Sequence, residues 1–287
     1  MKQILLCTDG SIFAQSSYQY GAWLATRLDA RVDVLYVSDA RSQATAEASN
    51  FSGSIGVDAS DVLLKQLVAL EHEKAKLNHQ RAKLILQDAE AVLTRGGVTK
   101  VQVMHKTGFL VDFLPELESE VDLIILGKRG EAAEFASGHL GANLERILRS
   151  SRKPCLVTSR QYRPIERLLL AYDGSKSCER MLQFLIDSPA FKGLELHIIT
   201  VAKNAEDRTA NSRLERGKQQ AHIGGFEPLC SLMQGNPETI IAQYVKENNI
   251  NLLLMGAYGH SRIRHLVIGS TTAQILRSSN IPVLVFR

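Results

Sequence analysis

Short, almost uninterrupted apolar runs alternate along the chain with longer segments that carry apolar residues at helical spacing. The runs predict strands at 3–8, 32–37, 99–105, 122–126 and 154–158, and again at 167–172, 195–201, 227–233, 251–255 and 282–286. The segments between them predict helices near 12–28, 62–95, 109–119 and 141–150, and near 176–187, 206–222, 237–248 and 270–279. Continuous apolar runs are typical of strands covered on both faces, and this alternation favours parallel strands with right-handed crossovers.

The two halves of this pattern repeat each other in sequence. Three pairs of segments match in the same order: 3–11 with 167–175, 121–130 with 250–259, and 153–157 with 281–285. The polar segment 160–166, RQYRPIE, lies between the copies and is the predicted linker. We therefore predict two tandem, doubly wound α/β domains at 1–160 and 161–287, each with a five-stranded parallel sheet.

The first half carries an insertion between its second and third strands. Residues 39–60 are rich in Ala, Ser and Gly and are predicted to form a loop, and 62–95 is predicted as one long helix. Leucines recur along that helix among charged residues, at 63, 67, 70, 77, 84 and 93. Two interpretations stay open at this point: the helix packs its apolar face on its own sheet, or it presents a surface to a partner.

Composition and charge exclude several classes of protein. Apolar residues make up 45% of the chain and charged residues 22%, as in water-soluble domains, and the net charge of +4 is spread without a basic run, so we expect no nucleic-acid partner. No apolar run approaches the roughly 18 residues of a membrane span. Four cysteines lack the spacing of a metal or redox motif. We expect them to be reduced, which favours the cytoplasm.

The segment 256–271, GAYGHSRIRHLVIGST, carries the most informative chemistry. It follows an apolar strand and ends where a helix is predicted to begin, and its glycines Gly256, Gly259 and Gly269 allow the backbone to approach a ligand closely. Successive backbone amides in such a loop, together with a helix N-terminus, form an anion site. His260 lies within the loop, and Ser270 and Thr271 at its end can cap the helix or donate to a phosphate. The alternative is a glycine-rich turn without a ligand.

An aspartate follows the first strand of each half, at the edge where parallel sheets bind ligands. Asp9 and Asp173 each begin an Asp-Gly-Ser sequence. A carboxylate there can accept a hydrogen bond from an adenine amine or a ribose hydroxyl. Asp-Gly-Ser is also a turn signal, so a purely structural role stays open.

These motifs give the chain a resemblance to the universal stress protein family in its tandem two-domain form. The Asp-Gly-Ser and the spacing Gly-x2-Gly-x9-Gly-Ser-Thr carry it, and the second half fits that spacing without a gap. The resemblance implies an adenine nucleotide alpha hydrolase-like fold whose domains pair through their last strands, here 154–159 and 282–287, as a pseudo-dimer. It also implies that the second half binds ATP, alone or with Mg²⁺.

The resemblance assigns roles to particular residues of the second half. Adenine would lie near Asp173, with a main-chain contact at Val201 and a Gly-x-Pro after strand three; the ribose would lie by Met255 and Gly256. The full set of expected ATP-binding residues is Ala171, Tyr172, Asp173, Val201, Gly235, Pro237, Met255, Gly256, Gly259, His260, Gly269, Ser270 and Thr271.

The first half departs from that pattern. Ten residues separate its loop glycines instead of nine, Ala142 and Asn143 replace Ser and Thr, and Glu131 and Glu134 add negative charge that Lys128 and Arg129 offset in part. We expect a weak, altered or empty site there. Its residues would be Asp9, Val37, Gly127, Gly130, Gly141 and Asn143.

The leading hypothesis is an ATP-binding regulatory or stress-response protein that changes shape or partners when nucleotide binds. A P-loop is absent and no loop carboxylate is placed as a general base, so the sequence indicates no dedicated hydrolytic apparatus. A slow ATPase or an adenylate-handling enzyme of the same superfamily is the alternative, and an interaction protein without a nucleotide is a third. A homodimer built on the pseudo-dimer stays open.

Overall fold

The computed structural model describes residues 1–11, 14–39, 57–128, 140–202, 207–257 and 269–287. The first half contains β1 (Gln3–Thr8), α1 (Ala14–Leu28), β2 (Arg31–Asp39), α2 (Val57–Arg95), β3 (Val101–Gly108), α3 (Leu110–Glu118), β4 (Leu123–Gly127), α4 (Ala142–Ser150) and β5 (Cys155–Thr158). The second half contains β6 (Arg167–Ala171), α5 (Lys176–Asp187), β7 (Glu195–Ala202), α6 (Arg208–Ile223), β8 (Leu229–Gln234), α7 (Pro237–Glu247), β9 (Leu252–Gly256), α8 (Ser270–Ser278) and β10 (Val283–Phe286). A short 3-10 helix at Pro189–Phe191 was not predicted.

The ten strands of the described residues form one sheet, in the order β3-β2-β1-β4-β5-β10-β9-β6-β7-β8. Within each half the neighbouring strands are parallel, so both halves are doubly wound with the same strand order. β5 and β10 pair antiparallel at the centre, with Leu156 opposite Leu284. The predicted α/β class and the predicted pairing of the last strands within one chain are both confirmed.

Each strand sends alternate side chains into two separate apolar layers that continue across both halves. On one face, Ile4 and Leu168 pack with residues of α1, α2, α5 and α6. On the other, Leu5 and Leu169 pack with residues of α3, α4, α7 and α8. Because side chains alternate along a strand, continuous apolar sequence in β1 and β6 is what two-sided coverage requires.

The helix α1 joins the first half to the second away from the central strands. The Arg27 side chain donates to the carbonyls of Ala190 at 2.5 Å and Lys192 at 2.8 Å, and Trp23 stacks at a tilt on Phe191 with ring centroids 6.3 Å apart. The 3-10 helix that was missed from the sequence therefore exists as a contact point for α1. No local sequence pattern predicts this helix, because its conformation depends on packing against α1.

The segment between the halves also packs on α1. The Arg163 amide donates to the Tyr20 hydroxyl at 3.1 Å, and Tyr162 lies against the Tyr20 ring with centroids 4.8 Å apart. Ile165 is buried in the same apolar layer. This polar linker is therefore packed against the first half, because its few apolar side chains are buried or half-buried there.

The C-terminal part of the long helix α2 packs on its own sheet, which is the first of the two interpretations of its sequence. Ala82, Leu86, Ala89 and Leu93 are buried, and their spacing of three to four residues places them on one face of the helix, against the sheet. The helix begins at Val57, earlier than its predicted start at 62. Residues 40–56 of the predicted loop lie outside the described part of the chain.

The first prediction tests whether the 3-10 helix stabilises the molecule as a whole. Phe191 is 1% exposed, so Phe191→Ala should lower the free energy of unfolding by about 3–5 kcal/mol through lost burial and the cavity left behind. Chemical denaturation measures this loss. Ile223→Ala is the matched control, because Ile223 is 88% exposed and should shift stability by no more than about 0.5 kcal/mol. Equal losses for the two variants would contradict the proposed anchoring role of Phe191.

Candidate functional site

The antiparallel central pair places the two candidate sites at opposite edges of the sheet. All strands within one half run the same way, whereas β5 and β10 run in opposite directions. The carboxyl ends of β1 and β4 therefore lie at one edge, and those of β6 and β9 at the other. In each half these two strands are neighbours at the point where the strand order reverses, the usual ligand crevice of such sheets.

The Asp-Gly-Ser sequence after β6 forms a tight turn that begins α5. Asp173 Oδ1 accepts from the Ser175 amide at 2.9 Å, and Gly174 adopts a φ of +70°, which favours glycine. Ser175 is the N-cap, and its side chain accepts from the Cys178 amide at 3.4 Å. The turn thus holds the half-buried Asp173 carboxylate at the carboxyl end of the central strand.

Gly256, at the end of β9, is held close to the start of α5. A Cβ on Gly256 would lie 2.9 Å from the Cβ of Ser177, closer than real Cβ atoms approach, and 3.3 Å from the Cys178 sulfur, a tight contact. The Cys178 thiol donates to the Ala171 carbonyl at 3.4 Å, and Ala171 pairs with Met255 across the two strands. Ala171, Asp173, Met255 and Gly256 are therefore brought together, as the sequence predicts.

Tyr172 meets this edge with its main chain only. Its carbonyl accepts from the Thr200 hydroxyl at 2.8 Å. Its ring is 1% exposed and packs against Gly217 of α6, where an added Cβ would lie 3.1 Å from ring carbon Cε1. Burial raises the pKa of its hydroxyl, and the Arg216 guanidinium lowers that pKa in part. The ring belongs to the core, and only the backbone of Tyr172 is available at the crevice.

The helix α8 begins directly above the end of β9. Gly269 is its N-cap and provides no side-chain hydrogen bond, and its amide donates to the Ala257 carbonyl at 3.3 Å. Ser270 is exposed and Thr271 half-buried within the first turn, so neither occupies the capping position that the sequence allowed them. The next residue, Thr272, ties the helix to the strand through hydrogen bonds to the Gly256 and Ala257 carbonyls, both at 3.3 Å.

The remaining predicted residues of this half lie farther along the same edge. Val201 is half-buried near the end of β7, the neighbour of β6. Gly235 follows β8 with a φ of +141°, and Asn236 caps α7 by accepting from the Glu238 amide at 2.9 Å. Pro237 occupies the first turn of α7 and is exposed. With strands about 4.8 Å apart, this turn lies roughly 10 Å from Asp173 along the edge.

Three predicted residues fall on segments that the structure does not describe. Gly259 and His260 lie in 258–268, and Gly130 lies in 129–139, together with Arg129, Glu131 and Glu134. Their assignments stay predictions.

The first-half turn repeats that of the second half but is closed by a different residue. Asp9 Oδ1 accepts from the Ser11 amide at 3.0 Å, and Gly10 has a φ of +72°. A Cβ on Gly10 would overlap the Ile85 Cδ1 of α2, whereas a Cβ on Gly174 would meet the alkyl stem of Arg213 of α6. Within the described residues, the buried Asp9 Oδ2 has no hydrogen-bond partner. An apolar side chain thus lies beside one turn and a cationic residue beside the other.

The other first-half residues keep their expected positions with altered chemistry. Gly127 ends β4, Gly141 is the N-cap of α4 without a side-chain hydrogen bond, and Asn143 is exposed in its first turn. Val37 is half-buried near the end of β2. The position of Thr272 is taken by the buried Leu144, which cannot make the hydrogen bonds that tie α8 to its strand.

The helices α4 and α8 are each capped by a cation from the opposite half. The Lys128 ammonium, just after β4, donates to the carbonyls of Arg277 at 2.5 Å and Ser279 at 2.9 Å, at the C-terminus of α8. The Arg287 guanidinium, just after β10, donates to the Arg149 carbonyl at 2.5 Å, at the C-terminus of α4. Cations at these ends are stabilised by the helix dipole. From the sequence, Lys128 is expected to offset the negative charge of Glu131 and Glu134. Residue spacing could not predict its contact with a helix of the other half.

The comparisons with known proteins agree with this geometry. The sequence model of the Universal stress protein family matches residues 1–159 and 164–287. The chain belongs to the universal stress protein family. It is 58% identical to Universal stress protein Slr1230 of Synechocystis sp. over 287 residues, the full length of both. A crystal structure of a universal stress protein from Archaeoglobus fulgidus matches 99% of this chain and 96% of its own, with a TM-score of 0.69 and 22% identity.

Neither a membrane-spanning helix nor a cluster of metal ligands occurs among the described residues of this universal stress protein. None of their helices is both long and apolar enough to cross a membrane. No group of three or more His, Cys, Asp or Glu side chains converges on a metal position within the same residues.

Three of the four thiols are buried in the core. Burial raises the pKa of Cys7, Cys155 and Cys178 to about 12. Cys230 is half-buried, and burial raises its pKa as well. Since the thiolate is the reactive form, all three core thiols are unreactive at neutral pH.

The second prediction follows from these pKa shifts. In mildly alkaline buffer, well below the raised values, an aromatic disulfide reagent should titrate only Cys230 in the folded protein and all four thiols after denaturation. Cys230→Ser should abolish the native reaction. Rapid reaction of a second thiol in the folded state would contradict the burial of Cys7, Cys155 and Cys178.

Proposed function

We propose that the second half binds ATP at the carboxyl edge of β6 and β9, and that binding biases the shape or partners of the protein. The observation that carries this proposal is the N-terminus of α8, which begins at an uncapped glycine and is fastened over β9 by Thr272. The first amides of a helix lack partners within the helix, and the dipole adds positive potential there. Phosphate is the anion that such a helix start commonly binds.

The neighbouring groups supply a place for the nucleoside. The Asp173 carboxylate stands at the end of the adjacent strand, suited to accept from an adenine amine or a ribose hydroxyl. Val201, Gly235 and Pro237 line the same edge on the adenine side, and Met255 and Gly256 separate them from the phosphate end. Ser270 and Thr271 would donate to the phosphates beside Gly269. Mg²⁺, where present, would neutralise phosphate charge.

The capping arrangement supports a regulatory role. A phosphate at the N-terminus of α8 and Lys128 at its C-terminus act on opposite ends of one helix dipole. A ligand that favours one arrangement of α8 therefore also favours one arrangement of Lys128, which adjoins Gly127 in the first half. By linkage, bound ATP stabilises the state that it binds more tightly.

The third prediction separates phosphate binding from folding. Thr271→Asp places a carboxylate in the first turn of α8, where it should preserve or raise helix stability but repel phosphate. We expect the affinity for ATP, measured by isothermal titration calorimetry, to fall by roughly tenfold or more at low salt. Asn143→Asp is the matched control, since it changes the same position of α4 in the first half. Unchanged affinity in Thr271→Asp would remove α8 from the phosphate site.

The fourth prediction compares the two aspartates. Asp173→Ala and Asp9→Ala each remove a turn hydrogen bond to a serine amide, and thermal denaturation checks that both variants remain folded. Only Asp173→Ala should weaken ATP binding, by about tenfold for one lost charge-assisted hydrogen bond. Equal losses of affinity would show that the first half contributes a site of the same strength.

A further inference from the structure

The N-terminal part of α2 extends beyond the core of the molecule. From 65 to 81, all side chains of α2 are exposed except Leu67 and Asn78, which are half-buried, and full burial begins only at Ala82. Most helical stability in proteins comes from packing. Apart from the His79 ring, which lies 5.8 Å from the His105 ring of β3, the described residues give this segment little of the support that the sheet gives to the rest of α2.

Three leucines form an exposed stripe on α2. Leu70, Leu77 and Leu84 are 66%, 62% and 67% exposed, and each is seven residues from the next. Two residues correspond to about 200° of rotation, so Leu84 points away from Ala82 and Leu86, which are buried on the sheet. The leucine stripe, Leu70, Leu77 and Leu84, thus lies on the face of α2 opposite its own core contact.

Around Leu77, charged side chains of opposite sign flank the two sides of the leucine stripe. Counted from Leu77, Glu73 lies about 40° to one side, whereas Lys74 and Arg81 lie about 60° and 40° to the other. Such a surface is complementary to itself when two copies run parallel, because a two-fold axis along the helices brings the acidic side of one copy against the basic side of the other. Antiparallel copies would place the two basic sides together, with like-charge repulsion.

We propose that the leucine stripe is an interface at which α2 pairs in parallel with α2 of a second copy of this chain. Leucine at every seventh position is the spacing of one core position of a two-stranded coiled coil. Lys74 and Arg81 lie beside that position, on the basic side of the stripe. Their stems cover the leucines, and the Lys74 ammonium reaches Glu73 of the second copy.

The arrangement is compatible with the rest of the molecule. The two cores lie on the faces of α2 turned away from the two-fold axis, so they do not meet across it. The interface is separate from the β5–β10 pair, which already covers the edges through which the two halves meet. Pairing removes the exposed leucine side chains of both copies from water, and this burial is the driving force for the association.

The fifth prediction concerns the oligomeric state of the full chain. Sedimentation equilibrium should show a monomer–dimer association that Leu77→Glu weakens by at least a hundredfold. Ile223→Glu, an equally drastic change at another exposed apolar residue, should leave it unchanged. Glu73→Lys should weaken the dimer, and the double variant Glu73→Lys with Lys74→Glu should restore it. A wild-type chain that remains monomeric, or a dimer indifferent to Leu77→Glu, overturns the proposal.

Crosslinking tests the parallel orientation independently. In a Cys230→Ser background, the single variants Leu70→Cys, Leu77→Cys and Leu84→Cys should each form a disulfide-linked dimer on mild oxidation, because every stripe residue meets its own counterpart. An antiparallel pair would link at one position only, and that outcome overturns the proposed orientation. Circular dichroism of each variant confirms that the helix content is retained.

Discussion

The antiparallel pairing of β5 with β10 determines the layout of the whole molecule. It unites two sheets that are parallel within themselves, and it turns one half over relative to the other. The same pairing buries two strand edges that would otherwise expose unpaired amides and carbonyls. The carboxyl ends of the two half-sheets, and with them the two candidate ligand edges, consequently lie on opposite sides of the molecule.

That inversion also explains why α4 and α8 depend on the opposite half. Each helix starts at the ligand edge of its own half and ends at the ligand edge of the other. Lys128 and Arg287, which follow β4 and β10, stand where the carbonyl ends of α8 and α4 arrive. Two domains arranged side by side with all strands in one direction would not bring these groups together.

The two copies keep one backbone and carry different chemistry. At the start of the second strand of each half, Arg31 forms an ion pair with the buried Asp33 at 2.8 Å, whereas Glu195 accepts a hydrogen bond from the buried His197 at 2.8 Å. The hydrogen bond from His197 lowers the pKa of Glu195. At the ligand edges, Ile85 stands where Arg213 stands in the second half, and Leu144 where Thr272 stands. These differences concern side chains only, so the fold tolerates them while the chemistry beside the two candidate edges differs.

The order of strands and helices, the duplication and the positions of Asp173, Gly256 and Gly269 follow from the sequence alone. They depend on local periodicity, on apolar runs and on glycines whose backbone conformation or close packing is fixed by their neighbours in the chain. The 3-10 helix, the crossed caps of Lys128 and Arg287, the isoleucine over Gly10 and the role of Thr272 were decided only by the tertiary structure. Each of these joins residues far apart in sequence, and no local pattern encodes which distant group will meet them. The exposure of the leucine stripe belongs to the same class, because periodicity reveals an apolar face but only the fold shows which face the core leaves uncovered.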